Sequence, residues 1–317
     1  MEKYSLPEAG RRARMVALLM QLAPSEGYTL SALDGVKFMR ADGPVERTPV
    51  LYEPSIVVVC QGQKRGYIAG KTYLYDAQQF LVLTVPLPFE SETIASAAEP
   101  MLAVSIRINL QIAAELVLAM DASHRPRPRP LEPVGISSTA LDDKLSDAVL
   151  RLLETLASPD EARILGPSIV REIHYRVLAG EQGGALRSAL VHHGHFGKIA
   201  KALRRIHADY QQALNVEMLA DEAGMSVATF HAHFKAVTAS SPIQYIKTTR
   251  LHKARLLMVQ DGATASAAAA RVGYESPSQF SREFKRFFGR PPMDEAIKMK
   301  HALMQQPAES GPYITAQ

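Results

Sequence analysis

Residues 276–289 read SPSQFSREFKRFFG, and their polar side chains are of two chemical kinds. Gln279 and Arg282 carry a planar amide and a planar guanidinium, whose donors and acceptors match the edges of nucleic-acid bases. Lys285 and Arg286 are cations suited to phosphate oxygens, and Ser278 and Ser281 add hydroxyls to the same outward face. On the other side Phe280, Phe284 and Phe287 or Phe288 recur at three and four, the period of a buried helical face. The chemistry implied is recognition of a duplex by one helix, with no bond made or broken.

The element that positions this helix lies just upstream. Residues 265–270 are rich in alanine, which has the best intrinsic helix propensity, and their small side chains let another helix cross closely. Gly273 stops that helix in a left-handed conformation. Ser276 and Pro277 then supply the N-cap and first residue of the next one. Two helices joined so tightly cross steeply, as in a helix-turn-helix.

A second copy precedes the first. Aligning Gly224 with Gly273 sets Phe230, Phe234 and Lys235 against Phe280, Phe284 and Lys285, a repeat of 49 to 50 residues. Its recognition helix, residues 227–237, turns Ala228, Thr229, His231, Ala232 and Lys235 outward, with Ser226 at its cap. Between the copies Ser241 and Pro242 open a helix with an apolar face of Ile243, Ile246, Leu251, Ala254, Leu257 and Met258. Lys247, Arg250, Lys253 and Arg255 are its basic residues. From Pro242 to Val259 it spans about 27 Å. Successive major-groove segments on one face of a duplex lie roughly 34 Å apart, so one chain is expected to seat both recognition helices.

These motifs, with the intervening SPIQYIKTTRLHKARLLM and the segment GYESPSQFSREFKRFFGRPP, closely resemble the AraC/XylS-type transcription regulators over about residues 196–300. The resemblance implies an all-α DNA-binding domain with two helix-turn-helix units on one central helix. It places Ala228, His231 and Ala232 where bases are met, and it implies double-stranded DNA and RNA polymerase as partners of an activator. Two alanines offer only apolar contact, for instance to a thymine methyl, so the first unit is expected to discriminate bases less than the second. The closing PPMDEAIKMK departs from the family in lacking a Tyr-Arg pair after the proline.

Charge follows the same division. Residues 195–300 hold 16 Lys and Arg against 9 Asp and Glu, whereas residues 1–194 hold 20 against 22. A basic segment joined to a near-neutral one is what a phosphate-binding domain attached to another domain shows. A length of 317 residues also exceeds one ordinary core. With 47% apolar residues, no apolar tract of membrane-spanning length and no export signal in MEKYSLPEAGRRARM, a cytoplasmic chain without membrane contact is expected. The single cysteine, Cys60, excludes an internal disulfide.

Upstream the texture is of strands and turns. Residues 55–60, 64–68, 71–75, 79–85 and 101–108 are apolar or alternating runs, with Pro44, Pro49, Pro54, Pro86, Pro88 and Pro100 between them. EPSIVVVCQGQKRGYIAG and YLYDAQQFLVLTVPLPFE resemble the cupin-like N-terminal domain of one branch of the same family. That implies a barrel or sandwich that senses a small molecule or mediates dimer contacts. The first histidine is His124, so no His-ligated metal centre and no cofactor is expected in the barrel. No hydrolase, phosphate-loop or dinucleotide motif appears, and an enzyme is not expected.

The expected fold is therefore α+β with two domains. A cupin-like sensor and dimerisation domain with a helical extension covers residues 1–182, a linker 183–197, the DNA-binding domain 198–300 and a tail 301–317. Residues 1–22 form a helix that either docks on a partner or caps the barrel. Helices over residues 138–156 and 159–178 either pair two chains or pack on their own barrel. Residues 123–130, SHRPRPRP, form a polyproline-like connector. His192, His193 and His195 fall in the interdomain joint as linker residues. Cys60, beside the Gln61-Gly62 turn and near Lys64 and Arg65, is either a reactive thiolate of the sensor or a small core hydrophobe.

Overall fold

The computed structural model describes residues 8–122, 135–180, 183–190 and 195–304. The connector at 123–130, His192, His193 and the tail from 305 lie outside the described residues.

Among the described residues ten strands build two facing sheets. The larger contains β1 (Gly27–Leu30), β2 (Val36–Ala41), β9 (Met101–Arg107), β4 (Ser55–Gln61), β7 (Gln79–Leu83) and β10 (Ile136–Ala140), in that order. The smaller runs β3 (Val45–Tyr52), β8 (Leu87–Ile94), β5 (Gln63–Ile68) and β6 (Lys71–Asp76). Alternation along the central strands feeds two cores. Val57, Val59, Leu81 and Ala103 face the smaller sheet, while Ile56, Val58, Val82 and Val104 face a layer of helices. Burial on both faces is why these strands read as continuous apolar runs.

The anticipated runs correspond to β4, β5, β6, β7 and β9. Pro49 and Pro88, placed between strands by the sequence, lie inside β3 and β8. β3 is an edge strand, and the pairing of β8 with β5 begins only at Glu90, so neither proline interrupts a two-sided ladder. The helix expected from residue 138 starts later. Residues 136–140 extend as β10 along β7, and α3 (Asp143–Leu156) opens where Asp142 accepts a hydrogen bond from the Leu145 amide at 2.7 Å.

The outer helices belong to the barrel. In α1 (Glu8–Leu22), Met15, Leu18 and Leu19 are buried against the larger sheet, and Arg11 pairs with Asp143. The N-terminal helix is a cap of its own chain. The apolar face of α3 (Leu145, Val149, Leu152, Leu153, Leu156) is buried in the same cluster, joined by α5 (Gly166–Ala179) through Val170, Ile173 and Val177. An Arg151–Glu172 ion pair of 2.7 Å adds to that contact. Three further helices, α2 (Leu110–Ala122), α4 (Pro159–Ile164) and α6 (Gly183–Leu190), complete the layer, and α6 occupies part of the segment expected as linker.

The C-terminal part is all helical: α7 (His195–Asp209), α8 (Val216–Glu222), α9 (Val227–Thr238), α10 (Pro242–Gln260), α11 (Ala265–Arg271), α12 (Pro277–Phe288) and α13 (Pro292–Met304). The two repeats end differently. α12 closes on Gly289 at φ 79°, whereas α9 closes on Ala239 at φ 58°, a left-handed conformation that strains any residue with a Cβ. Ala239→Gly is expected to stabilise the protein by about 0.5–1 kcal/mol, relief of that strain exceeding the added chain entropy of glycine. A urea midpoint that fails to rise would contradict this.

Candidate nucleic-acid interface

Each recognition helix is fixed by the same two devices. Ser226 Oγ accepts from the Thr229 amide at 3.3 Å, and Ser276 Oγ accepts from the Gln279 amide at 3.2 Å, satisfying donors the helix start leaves open. Behind them Phe230 and Phe234 are fully buried with rings 5.5 Å apart, and Phe280 and Phe284 repeat this at 5.4 Å. The phenylalanine pairs set which face of each helix points out.

The units are tied together through α10. Arg250 Nε donates to the Tyr210 carbonyl at 2.7 Å, Nη2 to the Gln212 carbonyl at 2.7 Å and Nη1 to the Gly273 carbonyl at 3.0 Å. The first two carbonyls lead into the first helix-turn-helix, and the third is the turn of the second. Gly273 has φ +81°, and a Cβ there would lie 2.4 Å from the Gln211 carbonyl oxygen, so the two units meet at a spot only glycine fits.

Around this frame the outward residues fall as their spacing predicts. Ala228, Ala232 and Lys235 on α9 are exposed, and Thr229 and His231 are partly exposed. On α12 Ser278, Gln279, Arg282, Lys285 and Arg286 are exposed, with Ser281 partly so. Ser226 is a cap whose hydroxyl also donates to Thr229 Oγ1 at 2.9 Å, which engages both hydroxyls within the helix start. Arg282, Lys285 and Arg286 form no ion pair among the described residues.

Glu283, which spacing alone did not single out, organises the second unit. It accepts from Lys247 Nζ at 2.9 Å, Tyr274 Oη at 2.8 Å and Gln279 Nε2 at 3.1 Å. Gln279 is thereby held along its helix with its amide oxygen still available. All four basic residues of α10 have protein partners: Lys247 on Glu283, Arg250 on three carbonyls, Lys253 over the Tyr210 ring and Arg255 on Glu295. The pair Arg255–Glu295 at 3.3 Å also anchors α13, in the segment that departs from the family pattern. His195, expected in the linker, begins α7 and stacks on His233 of α9 with centroids 3.9 Å apart.

Of the two alternatives for Cys60, its position matches the core hydrophobe. Its side chain lies under α1, 1% exposed, with Sγ 4.0 Å from Met15 Sδ. Burial pushes its thiol up to about 12, against a smaller opposing effect of Arg12. The apolar neighbours that make it part of a core also keep it protonated.

Residues 32–185 match the family model of the AraC-type transcriptional regulator N-terminus, and residues 219–295 match that of a helix-turn-helix domain. The chain belongs to the AraC-type transcriptional regulators. An AraC-like transcription regulator of Streptomyces lividans is 38% identical over 96 residues, 30% of this chain and 32% of that protein. The activator RhaS of Escherichia coli is 32% identical over 85 residues, 27% and 31% of the two chains. The chain thus spans about a third of the length of these curated relatives. A crystal structure of ToxT from Vibrio cholerae with an unsaturated fatty acid bound has the same fold, with a TM-score of 0.56 over 86% of this chain and 97% of that one at 13% identity.

Two predictions follow from this AraC-type interface. Arg282→Ala should cost about 1–3 kcal/mol on specific DNA and relax preference at one position, whereas Lys285→Ala should weaken specific and random DNA alike. Titrations on both DNAs check this, and equal losses for Arg282→Ala would reject it as a base reader. The second concerns acid. Burial alone would raise the Glu283 carboxyl, but its bonds from Lys247, Gln279 and Tyr274 outweigh this and hold it below its ordinary 4.5. Its stabilisation is therefore complete above the unfolded value and disappears as pH falls through the lower folded one. Glu283→Gln should flatten that part of the stability profile, measured by urea midpoints between about pH 3 and pH 6.

Proposed function

We propose that this chain is a sequence-specific DNA-binding transcription activator whose barrel reports a small molecule to both helix-turn-helix units. The observation that carries this is how the barrel grips α10. Tyr245 Oη donates to the Pro86 carbonyl at 2.7 Å, and Arg255 Nη2 donates to the Pro49 carbonyl at 3.1 Å. These contacts stand ten residues apart on the helix that joins the units, and both leave the recognition faces exposed. With its one proton on Pro86, Tyr245 accepts from His207 Nε2 at 2.7 Å. Burial, with a lesser effect of Lys253, pushes His207 down to about 3, so this imidazole is neutral at physiological pH.

The RhaS name supports activation and therefore contact with RNA polymerase, and the fatty acid bound to ToxT supports a sensing barrel. That its named relatives are regulators supports a chain that catalyses no reaction. Selection of binding sites from a random duplex pool, followed by footprinting with the full chain, tests the proposal. Two protected major-groove segments one helical turn apart are expected, with base changes opposite α12 costing more than those opposite α9. Protection of a single segment, or equal binding of unselected DNA, would overturn it.

A further inference from the structure

The second recognition helix carries an amide whose sense is dictated by its neighbour. Gln279 stands three residues after the Ser276 cap, where a glutamine commonly turns back to bond the amide of the cap residue. Here it goes forward instead: Gln279 Nε2 donates to Glu283 Oε1, one helical turn on, at 3.1 Å. Glu283 is held in turn from α10 and from the turn before α12. Lys247 Nζ donates to the same oxygen at 2.9 Å, and Tyr274 Oη donates to Oε2 at 2.8 Å. The Glu283 side chain is 13% exposed, while Gln279 lies exposed on the outward face.

A side-chain amide has one end that accepts and one that donates, and a half-turn about its last bond exchanges them. Beside a hydroxyl or another amide either end would serve. An ionised carboxylate accepts and cannot donate, so only the NH2 end of Gln279 can face Glu283. Burial would raise the Glu283 carboxyl, but the bonds from Lys247, Gln279 and Tyr274 outweigh it, and at neutral pH the group is ionised. What Gln279 keeps for an outside partner is Oε1 and its second N–H. In the major groove adenine offers the matching donor and acceptor, N6–H and N7, whereas guanine sets two acceptors, N7 and O6, against the same amide. Cytosine and thymine each offer it a single polar partner. The first unit lacks this device. Thr229 and His233 stand at the corresponding positions, the hydroxyl of one engaged with Ser226 and the ring of the other stacked on His195.

We propose that Glu283 is a positioning residue that sets which base the second unit reads: by holding the NH2 end of Gln279 it directs that amide to adenine in the major groove and against guanine. This rests on the DNA-binding reading and names the base at one position of the binding site. Glu283 acts through Gln279, and Lys247 and Tyr274 act through Glu283. Lys247 carries the constraint back to α10, the helix common to both units, so the ion pair that helps seat α12 also fixes the sense of its reading group.

The test uses the full chain and a duplex selected from a random pool. Gln279→Ala identifies the position that Gln279 meets, as the one where base preference disappears. There the natural chain should bind adenine about tenfold tighter than guanine, or better. Replacing that adenine by 7-deazaadenine, which lacks the N7 acceptor, should cost the natural chain about fivefold and Gln279→Ala nothing. Glu283→Gln, whose amide can donate or accept, should bring adenine and guanine within about threefold at that position, with the preference opposite Arg282 and the affinity for random DNA kept within about twofold. A base other than adenine preferred there by the natural chain, an unchanged adenine preference in Glu283→Gln, or an equal loss opposite Arg282, which a merely structural Glu283 would give, overturns the proposal. So does a selected duplex with no position that responds to Gln279→Ala. The 7-deazaadenine comparison needs no Glu283 variant, and an analogue bound as tightly as adenine overturns the proposal even where Glu283→Gln fails to fold. Sequence preference elsewhere without these effects refutes the positioning role alone, whereas equal binding of selected and random duplex by the natural chain refutes the regulator.

Discussion

One guanidinium fixes the relation between the two reading heads. Arg250 reaches the carbonyls of Tyr210, Gln212 and Gly273 at once, and only a planar fork with donors in several directions can do so from one position. Lysine presents its three donors from a single nitrogen and cannot spread them over the same fork. The glycine at 273 allows the backbone approach that the fork requires, and the cap at Ser276 starts the second recognition helix three residues later. The placement of the second recognition helix, and with it Arg282 and Lys285, is thus inherited from a residue outside both recognition helices.

The barrel attaches to the same helix by a complementary logic. Its two carbonyls, Pro49 and Pro86, belong to residues that have no amide hydrogen, and each carbonyl takes a donor from α10. Arg255 is the more demanding of the two donors. It is 2% exposed, shares its charge with Glu295 and lies over the Phe288 ring at 4.3 Å, so one side chain joins the barrel, α10, α12 and α13. Burial lowers it to about 10, Glu295 opposing, which still leaves it charged at neutral pH. Removing either partner would strand the other without water, the circumstance in which a buried pair matters most.

What was legible in the sequence was local. Ser226, Ser276, Gly273 and the phenylalanines at three- and four-residue spacing act on neighbours within a turn or two, so capping and periodicity rules recover them. Arg250 and Glu283 were not recoverable in the same way. The contacts that tie the units together are remote in sequence, Lys247 36 positions from Glu283 and Tyr210 40 positions from Arg250, and are set by how helices cross and not by any repeat. The barrel divides similarly. β4 and β7 declare themselves through unbroken apolar runs, while β3 and β8 are disguised by prolines whose tolerance depends on which neighbour pairs at that level. Lys64 enters the sequence reading only as a cation near Cys60, and the sheet shows it facing inward.

The internal engagement of the α10 cations changes what sixteen basic residues mean for binding. A side chain already paired with protein displaces no condensed ions from a duplex when the complex forms. On the proposed DNA-binding reading, Lys247, Arg250, Lys253 and Arg255 would contribute less to counterion release than their number suggests, and each phosphate met by a freer cation such as Lys235, Lys285 or Arg286 would contribute a slope of about 0.9 in log affinity against log salt. The ionic-strength sensitivity expected on that reading follows from the architecture of the core, and the formal charge overstates it.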